Sequence, residues 1–272
     1  MKPMTPEPPA FVGSIPNDYD AYLGPFLFDF YAKDLAERLD LAPGVHILET
    51  ACGTGIATES LRAAVPADAQ IVATDLSEAM LEHARSKRGH LERVRFEAAD
   101  AAALSHDDSS FDALYSQFGL MFMPDKLQAM REAQRVLRPG GQLAFSVWGD
   151  LDSNPYVRLA QDAIASFFDA EPPGFLWVPW SYCEPGPIEE LLHAAEFVDV
   201  KLERVPYLCE HCTSEDIARG LVCGNPTITQ VIERASAPAD NVVHAVASAI
   251  EGAFGSGTPR VPMQALVVTA RR

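Results

Sequence analysis

The sequence VHILETACGTGIAT, residues 45–58, contains the strongest local pattern in the chain. A short apolar run ends at an acid, Glu49, and a turn of small residues follows, which includes Ala51, Gly53 and Gly55. Because glycine has no Cβ, a turn of this kind lets a ligand approach the backbone closely. Apolar residues at helical spacing come next. The stretch therefore predicts a strand, a tight turn and a helix, which is the opening of a βαβ unit.

The spacing of the small residues bears on the ligand. A dinucleotide-binding turn has the pattern G-x-G-x-x-G, and its third glycine would fall at Thr58. Here the small residues alternate instead, at positions 51, 53 and 55. A nicotinamide-dependent oxidoreductase is therefore disfavoured, and it stays as an alternative.

Residues 45–148 alternate between strand and helix patterns, which predicts a parallel sheet with helices on both faces. The predicted strands are 45–49, 70–74, 94–98, 111–116 and 142–148, and the predicted helices are 55–64, 77–88 and 125–137.

The remainder of the chain predicts further helices, two more strands and a segment at 171–187 that is rich in proline and aromatic residues. The helices are expected at 25–39, 155–168, 187–196, 213–222, 226–235 and 241–254, and the strands at 197–207 and 263–270.

The predicted strands and helices indicate the domain organisation. We expect a disordered arm over residues 1–10, which hold four prolines, and a single domain over 11–272. The core of that domain is predicted at about 40–150, 187–207 and 263–270, and lid segments at about 11–40, 151–186 and 213–258.

Composition limits the possible partners. The net charge of −17 argues against nucleic acid, whose backbone binds basic surfaces. The sequence has no apolar run of about 18 residues, so no membrane span is expected, and its first residues have no signal-peptide pattern. The odd number of cysteines, 5, indicates reduced thiols and a cytoplasmic protein.

Acids also follow the second and third predicted strands. Ligands bind at the carboxyl ends of parallel strands, so Asp75 and Asp100 are expected at the same crevice as Glu49. An ionised carboxylate at Asp75 would accept hydrogen bonds from two ribose hydroxyls. The alternatives are a helix cap at Asp75 and a turn at Asp100.

Five motifs follow one another along the chain: ETACGTG, ATDLSEAM, FEAADA, FDALYSQFGLMFMPD and REAQRVLRPGGQLAFSVW. Together they resemble the class I S-adenosylmethionine-dependent methyltransferases, in the small-molecule branch of the ubiquinone/menaquinone-biosynthesis type. The clear resemblance covers residues 45–148. The family fold implies a Rossmann-like α/β sheet of seven strands, mostly parallel with the last strand antiparallel, with helices on both faces and helical lid insertions. The chain departs from the family at Ala51, which stands in place of a glycine.

The resemblance implies a set of contacts to S-adenosylmethionine. Glu49 would orient the methionine amino group, Leu76 and Met80 would flank the adenine, and Gln117 and Phe118 would border the reactive methyl. Ordinary core packing is an equal reading of Met80. The other implied cofactor residues are Tyr22, Ala51, Gly53, Gly55, Asp75, Ala99, Asp100 and Ala101.

Aromatic residues outside the sheet are candidates for the acceptor chamber: Tyr19, Phe122, Trp177, Trp180 and Tyr182. The competing interpretation is that they pack the lid helices onto the sheet. The N/D-P-P-Y/F/W motif of amino-group nucleic-acid methyltransferases is missing after the fourth strand, where SQFG stands at 116–119. A small, moderately hydrophobic acceptor is therefore favoured.

The sequence leaves the catalytic residue unassigned. His83 is read as a surface residue, and none of the other histidines considered as bases has a motif around it. Cys209, His211 and Cys212 form one zinc-like knuckle, but structural zinc usually takes four protein ligands, so no metal is expected.

The predicted function is transfer of the sulfonium methyl to O, C or N of a small metabolite, mainly by proximity and alignment. The alternatives are non-methylating chemistry on the same fold, such as a pericyclic reaction, a nicotinamide oxidoreductase, and a non-catalytic partner protein. A homodimer is compatible with the sequence, whereas nucleic-acid and membrane partners are not expected.

Overall fold

The computed structural model describes residues 11–272, so the predicted arm at 1–10 lies outside the described residues. The strands are β1 (His46–Thr50), β2 (Gln70–Asp75), β3 (Val94–Ala98), β4 (Phe111–Gln117), β5 (Leu137–Trp148), β6 (Val198–Cys209) and β7 (Val261–Arg271). The helices are α1 (Ile15–Asp18), α2 (Asp29–Glu37), α3 (Ile56–Ala64), α4 (Glu78–Arg88), α5 (Lys126–Val136), α6 (Tyr156–Ala165), α7 (Pro185–Ala194), α8 (Ser214–Cys223), α9 (Thr227–Arg234) and α10 (Ala239–Phe254).

The strands form one sheet in the order β3-β2-β1-β4-β5-β7-β6. Strands β1 to β5 pair in parallel, whereas β7 is antiparallel to both β5 and β6. The predicted seven-stranded sheet with an antiparallel last strand is confirmed. The division into core and lid segments stays a prediction.

The fifth strand begins earlier than expected, at Leu137 rather than at residue 142. Leu137 pairs with Phe111, and the register then jumps so that Gln142 pairs with Ala113. The intervening Arg-Pro-Gly-Gly turn therefore bulges out of the ladder after the helix has ended.

The helical chain before β1 also begins earlier than expected. It starts at Ile15 and runs to Glu37, and its middle part, Tyr19–Phe28, is π-helical. This part contains Pro25, which has no backbone N–H to donate to a regular helix. We refer to residues 15–28 as the N-terminal strap. π-Helical turns are often found at functional sites.

Helix α2 is tied to the sheet by buried tyrosines. The Tyr31 hydroxyl donates to the Val205 carbonyl at 3.1 Å, and the Tyr115 hydroxyl donates to the Ala32 carbonyl at 3.0 Å. Burial raises the pKa of both phenols, so they remain donors. These bonds fix the end of the strap relative to the carboxyl ends of the strands.

None of the helices in residues 11–272 is both long and apolar enough to cross a lipid bilayer.

The Tyr31→Phe substitution tests the tie between α2 and β6. It should lower the free energy of unfolding by about 1–2 kcal/mol, because it removes a buried hydrogen bond. Tyr182→Phe is the matched control, because the half-buried Tyr182 hydroxyl bonds at 3.3 Å near the surface, and its loss should cost less than about 0.5 kcal/mol. Urea denaturation of both variants measures the difference, and equal losses would contradict the assignment.

Candidate functional site

The turn after β1 is built from left-handed backbone. Ala51, Gly53 and Gly55 have φ angles of 56°, 55° and 85°. Glycine adopts this region freely, whereas an alanine there costs roughly 1–2 kcal/mol. The alternation of small residues in the sequence thus corresponds to an alternation of left-handed residues. The last of them, Gly55, leads directly into α3.

Ala51 lies against the end of β4. A Cβ added at Gly119 would lie only 2.5 Å from the Ala51 Cβ and 3.1 Å from the Ser116 Oγ. Alanine therefore fits at position 51 because glycine stands opposite it. Neighbouring β1 and β4 meet where the strand order reverses, which is where open α/β sheets bind their ligands.

Gly119→Ala should destabilise the protein by about 1–3 kcal/mol, because the added methyl group overlaps Ala51. Gly174→Ala is the control, because a Cβ there meets nothing within 4 Å among the described atoms. Thermal unfolding of the two variants tests the contact. If Gly119→Ala melts at the wild-type temperature, the close approach of β1 and β4 is wrong.

Asp75 anchors the turn to β2. One carboxylate oxygen accepts from the Gly53 amide at 2.8 Å, and the other accepts from the Ser77 amide at 2.8 Å. Burial raises the pKa of Asp75, and the two backbone N–H groups act in the opposite direction. The cap at the start of α4 is Ser77, whose Oγ accepts from the Met80 amide at 3.4 Å, so Asp75 holds the capping residue and does not itself cap the helix. Each carboxylate oxygen has two acceptor positions, so a ribose role stays compatible with it.

The carboxyl group of Glu49 lies in an environment that is unfavourable for a charge. Glu49 lies in β1, its side chain is 0% exposed, and neither carboxylate oxygen has a hydrogen-bond partner within residues 11–272. Burial raises the pKa of Glu49 to about 8, and the nearby Thr58 hydroxyl opposes this without forming a well-aligned hydrogen bond. A buried carboxylate without a partner is costly, and a cation beside it would remove much of that cost.

The raised pKa of Glu49 predicts a pH-dependent stability. The folded state holds the proton more tightly than the unfolded state, whose pKa is near 4.5. The contribution of Glu49 is therefore most favourable below that value and declines as the pH rises to about 8. Relative to Glu49→Gln, the wild type should lose on the order of 4 kcal/mol over this range.

Urea denaturation at a series of pH values measures this loss. The control is Glu190→Gln, on an exposed part of α7, which should parallel the wild type at every pH. A stability difference between wild type and Glu49→Gln that does not change with pH would contradict the raised pKa.

The loop after β3 lies beside the end of β2. The Ala99 amide donates to the Asp75 carbonyl at 3.1 Å. Asp100 is exposed, and its carboxylate accepts from the Ala102 amide at 2.8 Å, as in the predicted turn. The structure thus brings Ala99, Asp100 and Ala101 to the same edge as Asp75.

The two predicted adenine neighbours differ in exposure. Met80 is buried, and its Cε lies 3.5 Å from where a Cβ on Gly53 would be. Leu76 is 63% exposed. Met80 therefore packs under the turn, whereas Leu76 is available at the surface.

The side chains of Gln117 and Phe118, at the end of β4, contact other parts of the protein. The Gln117 amide donates to the Phe28 carbonyl at 2.9 Å, which connects β4 to the strap. Phe118 is buried and stacks on Trp148 with ring centroids 3.9 Å apart. The Phe118 ring therefore belongs to the aromatic core, and its predicted place beside a reactive methyl stays a prediction.

The strap covers the turn through contacts that the sequence did not predict. The Tyr19 hydroxyl lies 4.0 Å from where a Cβ on Gly53 would be. The Asp20 carboxylate accepts from the Thr54 hydroxyl at 2.9 Å and from Arg88 at 2.8 Å. Arg88 also donates to the Thr54 carbonyl at 3.0 Å. These residues are far apart in sequence, so no local pattern indicates that they meet.

The positions of His83 and Tyr22 differ from what the sequence suggested. His83 was expected at the surface, but its side chain is 9% exposed and its Nε2 lies 3.7 Å from an Asp20 oxygen. Tyr22 lies against α8, where its Cβ is 3.2 Å from a Cβ added at Gly220. Tyr19 is therefore the strap tyrosine at the turn, and the cofactor role of Tyr22 stays a prediction.

Five aromatic side chains, one of them Tyr19, form a continuous group across the site. Adjacent ring centroids are 4.8 to 6.1 Å apart. We call this group the aromatic cluster, and its members are Phe11, Tyr19, Phe28, Phe122 and Phe175. All but Phe28 are partly exposed. The cluster forms an apolar surface beside the turn.

The other residues predicted to line the acceptor chamber, Trp177, Trp180 and Tyr182, do not lie on one common surface. Trp180 is 5% exposed and stacks on Trp148 at 5.3 Å, in the core. Trp177 is 39% exposed, and Tyr182 lies under the Lys126 ammonium at 5.0 Å. For Trp180, the packing alternative is the better description.

The sequence between residues 47 and 141 matches the family model described as a methyltransferase domain. Among curated relatives, demethylmenaquinone methyltransferase of Staphylococcus epidermidis is 37% identical over 113 residues, which are 42% of this chain and 47% of that protein. Methyltransferase GfsG of Streptomyces halstedii is 40% identical over 126 residues, which are 44% of this chain and 45% of that protein. The matched region thus spans about half the length of these relatives.

The fold is similar to that of phosphoethanolamine N-methyltransferase 2 of Haemonchus contortus, solved in complex with S-adenosyl-L-methionine. The TM-score is 0.60 at 16% identity, and the alignment covers 94% of this chain and 56% of the other. Residues 47–141 are therefore similar to the methyltransferase domain family, and the sheet that carries them has the Rossmann-like fold of the solved methyltransferase.

Proposed function

We propose that this protein is an S-adenosylmethionine-dependent methyltransferase that acts on O, C or N of a small, moderately hydrophobic metabolite. The buried carboxylate of Glu49, which lacks a partner within the described chain, is the observation that carries the proposal. It lies at the end of β1, next to a turn of left-handed, nearly bare backbone. Such a site suits a ligand with an ammonium group and an extended polar body.

The residues present fit that cofactor. Glu49 would hold the ammonium group, and the backbone at Gly53 and Gly55 would allow close approach. Asp75 would use its free acceptor positions for the ribose. The exposed loop at Asp100 and Ala101 would contact the adenine. Tyr19 lies over the turn, so the strap would have to shift for the cofactor to enter.

When bound, S-adenosylmethionine supplies an electrophilic methyl group on a sulfonium. The contribution of the chain is to orient the acceptor and to exclude water, since alignment alone supplies much of the rate for such a displacement. The aromatic cluster and the surrounding acids favour a cationic, partly apolar guest, because π faces attract positive charge.

The acceptor is proposed to be a small molecule with an apolar, planar part. The aromatic cluster supplies a matching surface. The relative from Staphylococcus epidermidis carries the name of a quinone methyltransferase, which agrees with this class. The net charge of −17 disfavours nucleic acid as acceptor. The five free thiols suit a cytoplasmic protein. A homodimer stays compatible with the sequence.

Binding of S-adenosylmethionine should release about one proton per molecule near pH 7. At that pH most Glu49 side chains are protonated, because their pKa is about 8, and the ammonium group requires the ionised form. Isothermal titration in buffers of different ionisation enthalpy counts the protons. The count should fall towards zero above about pH 9.

Glu49→Gln should abolish the proton release and weaken binding by about 2 kcal/mol or more. Glu190→Gln should bind as the wild type does, and a reduced nicotinamide dinucleotide should give no heat. Absence of heat with S-adenosylmethionine, or equal affinity in Glu49→Gln, would contradict the proposal. With a panel of apolar phenol and quinol acceptors, a product heavier by one CH₂ supports transfer. An isomerised product of unchanged mass would favour the non-methylating alternative.

A further inference from the structure

A second group of reactive side chains lies at the end of β6. Cys209 is the last residue of that strand, and Cys212 stands just before Thr213, the cap of α8. Both cysteines are buried, whereas His211 is exposed. One ligand atom from each of the three residues lies within 4.8 Å of the other two.

The imidazole of His211 is oriented by the N-terminal strap. Its Nε2 lies 3.1 Å from the Pro25 carbonyl oxygen. A carbonyl only accepts, so Nε2 carries the proton and Nδ1 has a free lone pair in the neutral ring. Nδ1 lies 3.8 Å from the Cys209 Sγ. The lone pair therefore faces the sulfur atoms.

This geometry is close to that of a tetrahedral metal site. With Zn–S bonds of about 2.3 Å and a Zn–N bond of about 2.0 Å, sulfur and nitrogen would lie about 3.6 Å apart, and two sulfurs about 3.8 Å apart. The Cys209–His211 separation of 3.8 Å is close to this value, and the two separations that involve Cys212, which are within 4.8 Å, would close by up to about 1 Å. Histidine ligands of metals typically donate their other N–H to a carbonyl or carboxylate, as His211 donates to Pro25.

We propose that Cys209, His211 and Cys212 bind one thiophilic divalent cation, Zn²⁺ by the softness of the ligands, with water in the fourth position. The sequence predicts no metal site, because it contains a single zinc-like knuckle. The orientation of His211 depends on a residue 186 positions away in the strap and leaves no local pattern.

The proposed ion would link two segments of the fold. It would hold the start of α8 and, through His211 and Pro25, the strap that covers the glycine turn. The metal would therefore stabilise the closed position of the strap, independently of which reaction the protein catalyses.

Cobalt titration tests the site directly. The full chain, reduced and stripped of metal with a chelator, should bind one Co²⁺ with a thiolate charge-transfer band in the near ultraviolet and the intense visible bands of a tetrahedral ion. Zn²⁺ should bleach these bands and raise the melting temperature.

Three variants locate the ion. His211→Ala removes an exposed side chain and should weaken binding on the order of tenfold or more. Cys212→Ser should remove charge-transfer intensity. Cys223→Ser, at another free cysteine near the end of α8, is the control and should titrate as the wild type does.

The proposal is overturned if the wild type gives no tetrahedral bands with excess Co²⁺. It is also overturned if His211→Ala and Cys212→Ser titrate like the wild type. If Cys212→Ser fails to fold, the His211→Ala titration and its melting temperature with and without Zn²⁺ decide the question. An unchanged zinc-induced shift in that variant counts against the site.

Discussion

The bond between the Asp75 carboxylate and the Gly53 amide holds the site together. A turn that passes through three left-handed residues has no regular hydrogen-bond ladder of its own. Asp75 supplies the missing anchor, and its other oxygen accepts from the amide of Ser77, the residue that caps α4. The Cys52 amide adds a second link, to the Thr74 carbonyl at 2.9 Å. Through these bonds the ends of β1 and β2, the turn and two helices form one unit.

Beside that unit, the ionisable carboxyl group of Glu49 lies where water cannot reach it. Glu49 would be far more stable if it were exposed or paired, and natural proteins tolerate such conflicts mostly at functional sites. Its position in the centre of the sheet, between β2 and β4, leaves it unable to turn towards solvent. The free protein therefore accepts an unfavourable carboxyl, and a cationic ligand would relieve the penalty. The nearby Asp75 carboxylate would add to the attraction of a cation.

The sheet could be predicted from the sequence because its strands are short apolar runs separated by turn residues, and because the motifs follow in a fixed order. The predicted positions of Ala51, Gly53, Gly55 and Asp75 at one turn agree with the structure. The strap could not be predicted in the same way. Its π-helical part breaks the helical period, and its function depends on Asp20 meeting Thr54 and Arg88. Long-range pairs of this kind leave no local pattern, which also explains why His83 was placed at the surface.

The aromatic residues show the same limit. Composition predicted an apolar region, but it did not separate Trp180, which packs in the core, from Phe175, which lies in the aromatic cluster. The periodicity of apolar residues predicts which side chains are buried. It does not predict whether a given aromatic side chain packs in the core or in the aromatic cluster. The assignment of individual acceptor contacts therefore depends on the fold.

The role of Glu49 as the group that holds the ligand's ammonium is tested most directly by a crystal structure with bound S-adenosylhomocysteine. The distance from the Glu49 carboxylate to the amino nitrogen of the ligand is the quantity to measure. We predict a hydrogen-bond distance, direct or through one water molecule, with the ribose at Asp75. A ligand bound elsewhere, or a Glu49 carboxylate still without a partner beside a bound ligand, would contradict the central claim.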